Sequence, residues 1–91
     1  MTAKEKIKKE HDSESKQQQD RFLILHNDED HTFNYVIEAL IDICEHDYDQ
    51  AAQCTILTHY KGKCDVKKGS FAYLRPMRKA LSDRGLLATI D

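Results

Sequence analysis

The spacing of apolar positions changes along the chain, and each change marks an element. Residues 1–20 hold only Met1, Ala3 and Ile7 as apolar side chains. Such a stretch cannot bury enough surface to offset its ordering entropy, so a flexible tail is expected there. Order is expected from Arg21 onward. Phe22-Leu23-Ile24-Leu25 is a short apolar run rich in strand formers, closed by His26-Asn27-Asp28, which reads as a buried strand and a turn. Phe33, Val36, Ile37, Leu40 and Cys44 then recur at helical spacing and predict a first helix from about Thr32 to Glu45. Asp30, His31 and Thr32 are all cap candidates, and the pattern does not choose between them.

The second helix is better punctuated. Asp47 with Gln50 three residues on has capping-box spacing, and Gly62 offers a left-handed stop after about Lys61. Cys64-Asp65-Val66 alternates and predicts a short strand. Gly69 and Ser70 turn the chain into a third helix, from about Ser70 to Arg84, with a kink expected at Pro76. Gly85 ends it, and Leu87 to Ile90 form a last strand. The order is strand, helix, helix, strand, helix, strand. So few short strands cannot cover two helix layers, so an α+β domain is expected: one small sheet with the helices on one face.

Composition narrows the function. A chain of 91 residues makes one small domain, here 21–91 behind the tail. The net charge is -2 with both signs interspersed, so no basic patch points to nucleic acid or a membrane surface. There is no apolar run of membrane-spanning length and no secretory h-region, so a cytosolic protein is expected. Cys44, Cys54 and Cys64 form no C-x-x-C pair, and reduced thiols are expected.

Two polar constellations stand out. His26-Asn27-Asp28-Glu29-Asp30-His31 lies between a strand end and a helix start, a position that often holds binding residues. On the pattern alone, a solvated acidic turn that caps the first helix is the favoured reading there. Thr55, Thr58 and His59, three and four residues apart, share one face of the second helix. A partly buried histidine near a helix end is the plain alternative. His26, Asp28, His31 and His59 show no ligand spacing for a zinc site. Cys54 and His59 are badly placed for a nucleophile–base pair, and no phosphate- or dinucleotide-binding motif is present. A binding protein without cofactor, not an enzyme, is the expectation.

Leu23-Ile24-Leu25-His26-Asn27-Asp28-Glu29, then Val36-Ile37, then Gln53 and His59-Tyr60-Lys61-Gly62-Lys63, resemble the ClpS family over residues 21–91. The resemblance implies an α+β fold with a three-stranded antiparallel sheet and three helices, like the C-terminal domain of the ribosomal stalk protein. It implies an adaptor that binds N-degrons, proteins beginning with Phe, Tyr, Trp or Leu, and delivers them to a Clp AAA+ unfoldase, ClpA or ClpC, with the ClpP protease. It further implies that Asn27, Asp28 and His59 receive the substrate's α-ammonium and that Glu29 and His31 stand at the mouth. Phe33 would be a gate against β-branched first residues. Val36, Thr55, Ile56, Thr58 and Leu86 would form wall and floor. Thr55 and Thr58 stand where the family usually has Met and Val, and His31 where it has Thr. No docking residues for the unfoldase carry over. A monomer that uses its N-terminal extension in delivery is expected, with a stalk-like interaction module of the same fold as the alternative.

Overall fold

The computed structural model describes residues 20–91; of the expected tail, all but Asp20 lies outside the described residues. Strand β1 (Arg21–His26) is central, paired antiparallel with β2 (Lys63–Gly69) on one side and β3 (Ala88–Ile90) on the other. Helices α1 (Phe33–Cys44), α2 (Tyr48–Lys61) and α3 (Phe71–Asp83) complete the strand–helix–helix–strand–helix–strand order, the α+β architecture expected from the sequence. Alternation along β1 places Leu23 and Leu25 in a core shared with Leu40 and Cys44 of α1, Ala51 of α2, and Leu74 and Leu81 of α3.

Each helix starts on a residue whose side chain accepts a hydrogen bond from the first turn: Thr32 from the Tyr35 N–H, Asp47 from Gln50, and Ser70 from Tyr73. Thr32 is thus the cap among the three candidates. Gly62 closes α2 in the left-handed region (φ 93°). Helix α3 continues through Pro76 in its second turn, where no backbone N–H is available to donate.

Two elements differ from the sequence expectation. Strand β2 is longer than Cys64–Val66, because Lys67, Lys68 and Gly69 stay paired with β1. As an edge strand it can carry exposed lysine without losing its ladder. Strand β3 starts at Ala88, and Leu87 before it is exposed.

The β1–β2 register shifts between Leu23 and Ile24: Leu23 pairs with Lys67 and Ile24 with Asp65, so Val66 is the extra residue of a bulge. Its carbonyl accepts a 2.7 Å hydrogen bond from Nε2 of His46, which is buried in the link between α1 and α2. That donation places a proton on Nε2; Nδ1 is also buried and, among the described residues, has no hydrogen-bond partner. Lys67, beside the bulge, donates to the Cys44 carbonyl at the end of α1 (2.8 Å). The bulge is therefore held to the α1–α2 corner by two side chains.

Replacing the histidine should release one of them. His46→Ala is expected to lower the unfolding free energy by about 1–3 kcal/mol, since it strands a buried carbonyl. Urea denaturation measures this, and an unchanged midpoint would show that the bulge holds itself.

Candidate functional site

Three chain segments converge where β1 ends. The His26 N–H donates to the Leu87 carbonyl and the Asn27 N–H to the Gly62 carbonyl, both at 2.9 Å. The first bond ties the turn to the segment carrying Leu86. The second ties it to the C-terminal end of α2, within one turn of His59. Gly62 reaches back in turn, its N–H donating to the Thr58 carbonyl.

Between these segments lies a cavity of about 200 Å3. An enclosed apolar cavity of about 150 Å3 holds benzene, so this one has room for an aromatic ring. The turn contributes Asn27, Asp28, Glu29 and His31 to its lining. Helix α1 contributes Phe33 and Val36; α2 contributes Thr55, Thr58 and His59; Leu86 comes from the approach to β3. The structure thus brings to one cavity every residue that the resemblance assigns to the site except Ile56, while Asp30 of the polar turn does not line it. Ile56 is 40% exposed and does not line the cavity. It follows Thr55 directly, and one residue along a helix turns the side chain by roughly 100°, away from the cavity face. Leu25 and His26 also line the cavity; the resemblance assigns neither a role there, although His26 opens the polar constellation of the turn.

The turn fixes Asp28. Its Oδ1 accepts from the backbone N–H groups of Asp30 (2.8 Å) and His31 (3.1 Å), and the His31 imidazole Nδ1 lies 3.2 Å from Oδ2. Partial burial alone would raise this carboxyl's pKa. The Asp30 amide, the His31 ring and the His31 amide together outweigh that and hold it below its ordinary value. An ionised carboxylate offers about four lone-pair sites, so Oδ2 keeps capacity for a further donor.

His31 is itself clamped. Its ring stacks on Tyr35 (centroids 4.7 Å apart, planes at 19°), and the Tyr35 hydroxyl donates to the Arg84 carbonyl at 2.7 Å. Gly85 (φ 83°) passes so close that a β-carbon there would stand 3.2 Å from His31 Nε2. The positive φ favours glycine, and an added β-carbon would crowd the His31 ring.

At the rim, His59 makes edge-on contacts with Phe33 (5.3 Å between centroids) and Tyr60 (4.8 Å). Among the described residues, neither the His59 ring nitrogens nor the Asn27 side-chain amide has a hydrogen-bond partner. The cavity therefore joins a free imidazole, a free amide and an oriented carboxylate to an apolar interior from Leu25, Val36 and Leu86. This arrangement can accept hydrogen bonds from a cation whose attached group is apolar.

The thiols are poor nucleophiles. Burial pushes Cys44 up to about 11, and burial with the neighbouring Cys54 thiol pushes Cys64 up to about 12. Burial raises Cys54 as well. Among the described residues, no three His, Cys, Asp or Glu side chains are grouped to hold a metal ion, and no helix is long and apolar enough to cross a membrane.

A carboxyl whose pKa is depressed on folding contributes stability that is fully present above its unfolded value of 3.8 and is lost as the pH falls through the folded value. Wild-type protein should therefore lose more stability than Asp28→Asn between about pH 5 and the folded Asp28 pKa. Parallel denaturation curves across that window measure it; equal losses in both proteins would mean that the turn does not hold the charge.

The family model for the ATP-dependent Clp protease adaptor protein ClpS matches residues 16–89. In a sequence search, no curated protein matches the chain. Among solved structures, Agrobacterium tumefaciens ClpS2 bound to L-phenylalaninamide is similar at a TM-score of 0.77 and 18% sequence identity, with 81% of this chain and 96% of that chain covered.

Proposed function

The chain belongs to the ClpS family of Clp protease adaptors, and from that premise we propose that its cavity takes the free N-terminal residue of a substrate protein, with Asn27, Asp28 and His59 receiving the α-ammonium and the apolar interior taking the side chain. One observation carries this reading: the three acceptors line the same cavity as Val36 and Leu86.

The chemistry suits the ligand. An α-amino group has an ordinary pKa of about 7.7–8.0, so at neutral pH it is mostly an ammonium with three donors. Leaving water requires an acceptor for each. The Asn27 carbonyl oxygen, the Asp28 carboxylate and a neutral His59 nitrogen supply them, and the bond to Asp28 is charge-assisted. Protonation of His59 would replace an acceptor with a donor and weaken binding. Beside the ammonium, a phenyl-sized side chain buries ~150–250 Å2, worth about 4–6 kcal/mol at ~25 cal/mol/Å2. The ammonium bonds add roughly 2–3 kcal/mol, and after the cost of association a Kd near the micromolar range is expected.

The solved relative is itself bound to phenylalaninamide, a free amino group beside a benzyl side chain, which supports bulky hydrophobic first residues, Phe, Tyr, Trp and Leu, as the ligand class. Phe33 at the rim would stand in the way of a β-branched first residue, with Glu29 and His31 at the mouth. In this reading the protein works in the cytoplasm as a monomer, without catalysis of its own. It hands its cargo to a Clp AAA+ unfoldase, ClpA or ClpC, coupled to ClpP. In the same reading residues 1–20 serve delivery, the role that the family resemblance implies for the N-terminal extension.

A fluorescent peptide beginning with free Phe should bind, its N-acetylated form should not, and Asp28→Ala should weaken binding more than about 10-fold through loss of a charged acceptor. Anisotropy titration reads all three. Binding indifferent to acetylation would favour a stalk-like interaction module instead.

A further inference from the structure

The floor of the cavity has a chemical sense of direction. Thr55 and Thr58 both line it and are 3% and 5% exposed. Each hydroxyl donates its only proton one helical turn back, Thr55 Oγ1 to the Ala51 carbonyl and Thr58 Oγ1 to the Cys54 carbonyl, both at 2.8 Å. A hydroxyl has one donor and two lone pairs, so both oxygens are left as acceptors alone. Among the described residues no group donates to either oxygen. Around them the interior is apolar, through Leu25, Val36 and Leu86.

We infer that this pair makes the cavity select a first residue with an apolar ring and a hydrogen-bond donor at its far end, which among the standard amino acids is tyrosine. The inference rests on the reading that the cavity takes a substrate's N-terminal residue, and it deepens that reading by assigning specificity to Thr55 and Thr58. A phenylalanine ring fills the same space but offers the two oxygens no donor. An aliphatic side chain does the same with less surface. A carboxylate adds acceptors to acceptors. A lysine or arginine brings donors, but also a charge to be buried among apolar side chains. Tryptophan also carries a neutral donor, but its N–H sits on the side of a larger bicyclic ring, whereas the phenol puts a neutral donor at the far end of a phenyl-sized ring. Sites built to pair a ligand hydroxyl discriminate against the analogue that lacks it, because buried polar atoms are then left unpaired.

The experiment compares three peptides that differ only in a free first residue: Tyr, Phe and O-methyltyrosine. Calorimetric titration of the full chain should show Tyr bound about three- to tenfold more tightly than Phe, the factor one net hydrogen bond supplies. O-methyltyrosine, with the ring and oxygen but no donor, should fall to the level of Phe or below. Thr55→Val and Thr58→Val, singly and together, should bring the Tyr-to-Phe ratio toward one. The wild-type comparison stands even if a variant fails to fold. Equal binding of Tyr and Phe, both abolished by N-acetylation, would overturn the threonine selectivity and leave the N-terminal reading intact. Failure of all three peptides to bind would remove both.

Discussion

The site depends on two backbone hydrogen bonds at the end of β1. One binds the turn to the chain leading into β3, and the other binds it to the glycine that terminates α2. Without them the acidic turn would be an ordinary solvated loop. With them, a residue of the turn and a residue of the last turn of α2 are drawn to the rim of one cavity. Gly62 is central because it does three things at once. It stops α2 in a left-handed conformation, returns its N–H to the helix, and presents its carbonyl to Asn27.

The turn next to those bonds is organised from within. Asp28 folds back on the amides that follow it, an arrangement that suits an aspartate before a helix start. Its orientation is reinforced by His31, which is braced by Tyr35 and by the close passage of Gly85. Preorganisation of this kind reduces the ordering cost of binding, because the carboxylate need not search for its position when a cation arrives. Asn27 and His59 are different: they are held by the fold, and among the described residues nothing takes up the hydrogen-bonding capacity of their side chains. In the proposed reading, the apolar interior supplies most of the burial and the polar rim decides which chain ends are admitted.

Much of this was legible in the residues. Asp47 with Gln50, Gly62, and the helical spacing of Val36, Leu40 and Cys44 placed two helices within a residue or so, because caps and apolar stripes are local signals. The three-strand, three-helix order followed from them. What escaped was set by distant contacts. Lys67 and Lys68 look like loop residues, yet pairing with β1 keeps them in a strand. The bulge at Val66 and its partner His46 lie 20 residues apart, and no local pattern joins them. The family resemblance puts Ile56 at the cavity wall, while the helical period sends it to the surface. Thr55 and Thr58 could be assigned to one face, but the direction in which their hydroxyl protons point emerges only when the helix carbonyls are in place.

The central claim is that Asn27, Asp28 and His59 act together on one cationic chain end. It is tested most directly by two-dimensional NMR of the labelled protein during titration with L-phenylalaninamide. The account predicts concerted, saturable shifts of the Asn27 side-chain amide, the Asp28 carboxyl and the His59 imidazole, all with one Kd and accompanied by the methyls of Val36 and Leu86. Shifts confined to another face of the molecule, or separate saturation of the three groups, would contradict it.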